Sequence, residues 1–337
     1  MTHKNIDNSG EQDYQGKLVD IAKRIRNWTG HIVIAAHIDP DGDALGSCLA
    51  LARALQSLNL PKHQSVQIVS EAPAYLTFIC TDSDNILTEL AQLPENTLLI
   101  ALDVAEKGRL AGLDHEQATY FINIDHHGTN DRFGDIALVE PNKAATAQIV
   151  KDLIPHLEVA WNSHIATPCM MGLITDTGNF RFANTSPEVL RDASDLLGHD
   201  IDYAQLTDRL QWRQPSYFKV LAEVLATIEF HHQGKIVSAY IDDDMRERAG
   251  PDDSDDYVGL IRYAEGSQLA IFLKQRGTDV KASLRSRGEV SAQRVCLALG
   301  GGGHKAAAGA TLAGVGIEEA RAIVVAEATK EIEAHAQ

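Results

Sequence analysis

Residues 37–47 read HIDPDGDALGS, set between an apolar run, IVIAA, and a helical pattern, CLALARALQSL. His37, Asp39, Asp41 and Asp43 fall within seven residues, where a buried strand gives way to a helix. A strand that runs directly into a helix is the unit from which parallel α/β sheets are built. Carboxylates this close raise one another's pKa. The stretch therefore points to a fold and also asks what stabilises its charges.

Outward from it, short apolar runs alternate with helical periods. Strands are expected at 31–37, 65–70, 96–103 and 119–125, and helices at 44–58, 144–156, 161–174 and 187–198. The expected class is α/β, with an N-terminal domain built on a mostly parallel sheet flanked by helices. A polar stretch with a proline at 199–216 reads as a linker or connecting helix. A smaller α/β domain follows over 217–335, with strands at 235–241, 268–275 and 279–285 and helices at 217–230, 254–265, 291–299 and 316–335. Residues 1–15 read as a disordered lead-in, 16–198 as the first domain, and the acidic 242–256 as a loop. The length of 337 residues suits two domains, at about 150 residues each.

The net charge of −17 excludes a general grip on long DNA or RNA, whose affinity comes from neutralising phosphates. It leaves room for short anionic substrates in a local pocket. No apolar stretch approaches the ~20 residues of a membrane helix, and the polar N-terminus lacks the apolar segment of a secretory signal. Cys48, Cys80, Cys169 and Cys296 are scattered and form no CxxC pair, which fits reduced thiols in a cytoplasmic protein.

The chemistry-bearing residues gather at strand ends: His37, Asp41 and Asp43, then Asp103, then Asp125-His126-His127, and Asp176 in GLITDTGNF. In open α/β sheets ligands bind at the carboxyl ends of the strands. Taken singly, each is a helix cap or a polar turn. Together they form a donor set that one or two divalent cations would hold against its own repulsion. Gly42 between Asp41 and Asp43 permits an unusual backbone angle, and Asp103 can bridge two ions. Imidazoles mixed with carboxylates suit Mn²⁺, Fe²⁺ or Co²⁺ better than Mg²⁺. Two metals about 3.5–4 Å apart are a recurring device for phosphoester hydrolysis. Asp39 lies at the wrong offset for a ligand and reads as a turn residue, and His231-His232 as surface.

A second feature is GGGGHKAAAG at 300–309, with a helical pattern expected on each side. Its amides, with His304 and Lys305, suggest an anion cradle. Ser283, Arg285 and Arg287 alternate, so they share one face of a strand.

HIDPDGDALGS, LLIALD, NIDHH and GLITDTGNF together resemble the DHH phosphoesterase superfamily. SLRSRGEVSAQRVCLALGGGGHKAAAGATL resembles its DHHA1 domain, and the likeness spans roughly residues 18–330. Size and a single DHHA1 module look most like the nano-RNase and pAp-phosphatase group. The resemblance implies a DHH catalytic domain, a DHHA1 substrate-binding domain and an active-site cleft between them. It implies His37 and Asp41 on a first ion, Asp43, His126 and Asp176 on a second, and Asp103 bridging. Asp125 would orient the histidine pair and His127 would face the scissile phosphate. Arg262, Ser283, Arg285, Gly301, Gly302, Gly303 and His304 would bind substrate. The implied reaction is hydrolysis of short oligoribonucleotides to mononucleotides, and of pAp to AMP, by a hydroxide activated on two metal ions. Mn²⁺ is the first choice, with Mg²⁺, Co²⁺ or Fe²⁺ as others. Partners are short RNAs or small nucleotides, neither long nucleic acid nor membrane, with a homodimer as the candidate assembly. Hydrolysis of cyclic di-AMP or pApA is the alternative activity, and a nucleotide sensor without turnover a more distant one.

Overall fold

A computed structural model of the chain describes residues 8–58, 64–249 and 257–335. The chain forms two compact units, residues 1–212 and 213–337. The first contains α1 (Asn8–Arg26), β1 (His31–Ala35), α2 (Gly42–Gln56), β2 (Val66–Val69), β3 (Ile86–Leu87), β4 (Thr97–Leu102), β5 (Tyr120–Asp125), β6 (Ile136–Val139), α3 (Thr146–Leu153), α4 (Ser163–Asp176), α5 (Pro187–Leu197) and α6 (Tyr203–Gln211). Its strands form one parallel sheet in the order β3-β2-β1-β4-β5-β6. β4, TLLIAL, is buried at every residue, as a central parallel strand covered on both faces must be. The chain lays β2 and β3 on one side of β1, then returns to place β4 on the other. That reversal opens a crevice at the carboxyl ends of β1 and β4, where doubly wound sheets bind ligands.

α2 is apolar almost all round and buried along nearly its whole length. Glycines let α4 approach it closely. A Cβ on Gly42 would stand 2.3 Å from the Thr175 side chain, and one on Gly46 would stand 2.4 Å from the Pro168 carbonyl oxygen. Gly42 is thus required for interhelical space, and not for the unusual backbone angle its sequence position suggested. On the far side of α2, Arg53 is buried. It donates to Asp84 (Nε to Oδ1 2.7 Å, Nη2 to Oδ2 2.8 Å) and to the Ile79 and His164 carbonyls at 2.7 and 2.9 Å. Removing one partner from such a buried pair typically costs about 3–5 kcal/mol.

The lead-in expectation is corrected: residues 1–7 lie outside the described residues, and the chain is helical from Asn8. Tyr14, Leu18, Ile21, Ala22 and Ile25 form the helical stripe that joins the core. The 199–216 stretch is helical over α6, whose N-cap Asp202 accepts from the Gln205 amide at 2.9 Å.

The second unit contains α7 (Pro215–Ala226), β7 (Glu229–His231), β8 (Ile236–Ile241), α8 (Asp243–Ala249), α9 (Tyr257–Ile261), β9 (Leu269–Arg276), β10 (Asp279–Ser286), α10 (Ala292–Ala298), β11 (Gly302–His304), β12 (Ala307–Leu312) and α11 (Ile317–Ala334). Its sheet runs β11-β12-β10-β9-β8-β7, and β8–β9 is its parallel pair. One face packs α10 and α11 over Ile271, Leu273, Ala282 and Leu284. The other packs Tyr217, Val220, Tyr257 and Ile261 over Val237, Ala239 and Phe272.

Two expectations change here. The acidic 242–256 stretch is helical over α8, and residues 250–256 lie outside the described residues. AAAGATL, expected to be helical, is strand β12, with Ala308, Ala310 and Leu312 alternately buried. Pairing with β10 and β11 overrides the helical preference of alanine. Among the described residues no helix is long and apolar enough to cross a membrane.

Candidate metal centre and anion face

β1 delivers His37 to the crevice, and its Nδ1 lies 2.7 Å from the Ile38 carbonyl. A proton donated there leaves Nε2 as the acceptor, 3.7 Å from Asp103 Oδ2. Asp41 is the N-cap of α2, its Oδ1 accepting from the Asp43 and Ala44 amides at 3.0 and 3.1 Å. Such a cap is worth roughly 1 kcal/mol to the helix. Asp43 is fully buried. It accepts from the Thr146 and Ala147 amides at the start of α3 (2.6 and 2.8 Å) and from Ser47 Oγ at 3.2 Å. Gly172 on α4 makes room for it, since a Cβ there would stand 2.7 Å from Asp43 Oδ1.

Asp103 follows β4 directly and has a left-handed backbone, φ 62°. Aspartate tolerates that conformation better than most residues, and strained backbone concentrates at functional sites. Its Oδ1 accepts from Thr146 Oγ1 at 2.9 Å. His126 Nε2 stands among three carboxylates: 3.2 Å from Asp176 Oδ2, 3.6 Å from Asp103 Oδ1 and 3.9 Å from Asp43 Oδ2.

The structure thus brings together two separate groups, His37–Asp41–Asp103 and Asp43–His126–Asp176, with a third, Asp103–His126–His127, overlapping both. In each, the ligand atoms lie within 4.8 Å of one another, an arrangement able to hold a metal ion. Asp39 is exposed, has φ 55° and belongs to none of them.

Burial, reinforced by the neighbouring carboxylates, pushes Asp43, Asp103 and Asp176 up to about 7. Burial alone would lower His126, but the three aspartates outweigh it and push the imidazole up to about 10. His126 Nε2 is buried yet finds no hydrogen-bond partner among the described residues. These two facts fit a cation site. Protons substitute poorly for a divalent charge among several carboxylates, and a misaligned imidazole nitrogen is free to ligate.

Asp125, the last residue of β5, serves the histidines. Its Oδ1 accepts from the amides of His126 and His127 at 2.8 and 3.2 Å, and lies 2.8 Å from His127 Nδ1. Asn130 Nδ2 donates to Oδ2 at 2.6 Å. Burial would raise this carboxyl, but the His127 and Asn130 bonds hold it below the usual range. The Asp125 bond in turn raises the His127 pKa.

Sequence reading missed three residues here: Thr146, Asn130 and Arg109. Arg109 Nη2 lies 3.4 Å from both His37 Nδ1 and the Ile38 carbonyl. The carboxylates that Thr146 binds are 43 and 103 positions away, so no local pattern betrays it. His231, read as surface, is half-buried and faces Ser238 Oγ at 2.8 Å and Glu229 at 3.9 Å.

In the second unit the sheet register assembles the other expected residues. Ser283 pairs with Gly309, which pairs with Gly302; Arg285 pairs with Ala307, which pairs with His304. Directly opposed residues project to the same side of a sheet, so Ser283, Arg285, Gly302 and His304 share one face. Arg262 lines a small crevice together with Arg285 and Arg287. The glycines differ from one another. Gly301 gives its N–H to the Cys296 carbonyl at 2.8 Å, so that amide is already engaged and is not a donor to an anion. A Cβ on Gly303 (φ 135°) would meet Ala308 Cα at 2.6 Å, whereas one on Gly302 would meet nothing within 4 Å. Lys305 pairs with Glu289 at 3.2 Å.

The DHH family, N-terminal domain, matches residues 31–173, and the DHHA1 domain matches residues 233–334. The bifunctional oligoribonuclease and PAP phosphatase NrnA of Thermus thermophilus is 50% identical, over 93% of this chain and 94% of its own length. The cyclic-di-AMP phosphodiesterase PdeA of Listeria monocytogenes is 25% identical, over 86% of this chain but 46% of its own length. Among solved structures, an exopolyphosphatase-related protein from Bacteroides fragilis shares the fold, with a TM-score of 0.83, 21% identity, and coverage of 94% of this chain and 96% of that one.

Proposed function

The chain belongs to the DHH family and carries a DHHA1 domain, and from that premise we propose that it is a metal-dependent phosphoesterase hydrolysing short oligoribonucleotides to mononucleotides and pAp to AMP. The observation that carries the reading is the two ligand groups linked by a third, Asp103–His126–His127, which shares Asp103 with one and His126 with the other. The 50% identity to an oligoribonuclease and PAP phosphatase supports the substrate class.

In this reading His37 and Asp41 hold one cation, Asp43, His126 and Asp176 hold another, and Asp103 serves both. When bound, the cations, Mn²⁺ by the mixed nitrogen and oxygen donor set, supply a lowered water pKa and positive charge at the phosphoryl oxygens. The chain does the rest. Asp125 fixes the His127 ring by its Nδ1, so that Nε2 is the atom able to give a proton to a phosphate oxygen or leaving group. Arg285 and His304 grip a substrate phosphate, with Ser283 and Arg262 beside them, and Gly302 leaves open space for it. The protein is proposed to act in the cytoplasm, and a homodimer is its proposed assembly.

Hydrolysis of cyclic di-AMP or pApA is the second reading. The relative that supports it is more distant and is matched over under half its length. The test is a panel of two- to five-nucleotide RNAs, pAp, pApA and cyclic di-AMP, given to chelator-stripped protein before and after Mn²⁺ is restored. Turnover of the RNAs and pAp on restoration, abolished in Asp103→Ala, is expected. Turnover that survives chelation or Asp103→Ala overturns the reading, and binding without product favours a sensor.

A further inference from the structure

Two buried asparagines beside the candidate metal centre are not explained by packing. Asn123 lies inside β5, and Asn130 closes the turn after it, its backbone amide on the His127 carbonyl at 3.1 Å. A buried polar side chain is costly unless its hydrogen bonds are made. Here they are made at the exits of two neighbouring strands. Asn130 Nδ2 donates to Asp125 Oδ2 at 2.6 Å, to the Val104 carbonyl at 2.9 Å and to Asn123 Oδ1 at 2.9 Å. Asn123 Nδ2 donates to the same Val104 carbonyl at 3.0 Å. The orientation of the Asn130 amide is fixed by its neighbours. Its Oδ1 accepts from the Arg132 amide at 2.6 Å, and a flipped group would set oxygen against three oxygens.

These contacts divide the Asp125 carboxylate between two sets of donors. Oδ1 takes the amides of His126 and His127 and faces His127 Nδ1. Oδ2 takes Asn130, its one donor among the described residues. Asp125 is fully buried, so water cannot stand in for a lost donor. His127 Nδ1 also has a second carboxylate within reach, being 2.8 Å from Asp125 Oδ1 and 3.5 Å from Asp103 Oδ1. A carboxylate held at one oxygen alone can turn about its Cβ–Cγ bond. The ring it holds then has a competing acceptor in Asp103.

We propose that Asn130 is a positioning residue: by holding Asp125 Oδ2 it keeps His127 Nδ1 on Asp125 and off Asp103, and so keeps the His127 ring turned with Nε2 free for the substrate phosphate. The Val104 carbonyl and Asn123 in turn anchor the Asn130 amide to the exit of β4. This deepens the proposed function and rests on the role that reading gives to His127.

The test is a double-mutant cycle on a two-nucleotide RNA in Mn²⁺ buffer. It compares wild type, Asn130→Ala, His127→Ala and the double variant, with folding checked by circular dichroism. Asn130→Ser, too short to reach Asp125 Oδ2, replaces Asn130→Ala if that variant does not fold. A hydrogen bond to a charged group is worth a factor of roughly 10 to 150, and the about 10²–10⁴-fold supplied by general acid catalysis sets the ceiling. Asn130→Ala should therefore lower kcat by roughly 10- to 150-fold with KM near wild type. With His127 already alanine, the same change should cost no more than about twofold, because residues that act as one unit are not additive. A merely structural role acts whether or not His127 is present, so an equal loss in both backgrounds, or no loss in either, overturns the inference. Should the wild type hydrolyse nothing, the proposed function fails. Histidine ¹⁵N NMR in Mg²⁺ buffer then decides the role of the amide, with the His127 Nδ1–H signal identified by its absence in His127→Ala. A signal present in wild type and lost in Asn130→Ala supports the inference, and one that is missing from wild type or unchanged in the variant refutes it.

Discussion

Thr146 offers the sharpest perturbation of the candidate metal centre, because one residue holds two carboxylates by different atoms. Its amide donates to Asp43 Oδ2 at 2.6 Å and its hydroxyl to Asp103 Oδ1 at 2.9 Å. Thr146→Val keeps the shape and the amide bond and deletes only the hydroxyl bond. A hydrogen bond to a charged group contributes about 1.5–3 kcal/mol, a factor of roughly 10 to 150 at RT ≈ 0.59 kcal/mol. Measured losses on removing the partner of a metal ligand are about 10- to 100-fold in affinity or activity. The two estimates coincide because Asp103 is 3% exposed, so water cannot replace the lost donor. Mn²⁺ titration of chelator-stripped protein by calorimetry should show the midpoint raised by roughly 10- to 100-fold in Thr146→Val, with Thr146→Ser close to wild type. Trp28, Trp161 and Trp212 all lie in the first unit, so their fluorescence checks that this unit remains folded. An unchanged Mn²⁺ midpoint in the valine variant, or a serine variant as impaired as valine, would refute the idea that the hydroxyl orients Asp103.

Three further outcomes follow from the geometry. In metal-free protein, Asp43, Asp103 and Asp176 lie near 7, above their unfolded values. The native state then binds more protons than the unfolded one, so this stabilisation is full below about pH 4 and is lost as pH rises through about 7. Tryptophan-monitored melting of stripped protein should therefore show a falling Tm from pH 5 to 8 that Mn²⁺ abolishes; a flat or rising trend without metal contradicts the pKa assignment. Asp84 behaves oppositely. Burial would raise it, but Arg53 and the Thr81 amide hold it below the usual range, so its contribution is present above about pH 4 and fades as pH falls through the native pKa. Asp84→Asn should cost about 3–5 kcal/mol in urea unfolding at pH 7, with a smaller deficit under acid; a near-neutral change would mean the pair is dispensable. Finally, Gly303→Ala should destabilise the second unit, since its Cβ meets backbone in a left-handed conformation, whereas Gly302→Ala should leave the melting temperature unchanged and raise KM. Equal melting losses in both would remove the case for open space at Gly302.

Much of the fold is legible because burial leaves a direct trace in sequence. β1 and β4 are continuous aliphatic runs, and only a strand covered on both faces tolerates them. α1 escaped because its first half is polar; the signal was the spacing of Tyr14, Leu18, Ile21, Ala22 and Ile25, which begins where the polar lead-in was thought to end. β12 escaped for a different reason. Alanines carry no preference for strand, and the period of two in Ala308, Ala310 and Leu312 becomes visible only once β10 supplies the partner. Short edge strands such as β3, two residues long, have no sequence signal that distinguishes them from loop.

The site divides along the same line between local and distant causes. His37, Asp41, Asp43, Asp103, Asp125, His126 and Asp176 could be singled out because they are polar residues in places that should be apolar, at the ends of buried strands or of a buried helix. Such an exception to the hydrophobic pattern needs a compensating charge, so the exception is itself the signal. Thr146, Arg109 and Asn130 break no pattern: a threonine opening a helix, an arginine in an exposed turn and an asparagine in a loop are each ordinary locally. They act by where the sheet order puts them. β4 returns beside β1, which sets Asp103 against His37, and α3 then points its first amides at Asp43. The candidate ligand groups are therefore readable from composition at strand ends, while the residues that aim them depend on strand order, which no single stretch of sequence encodes.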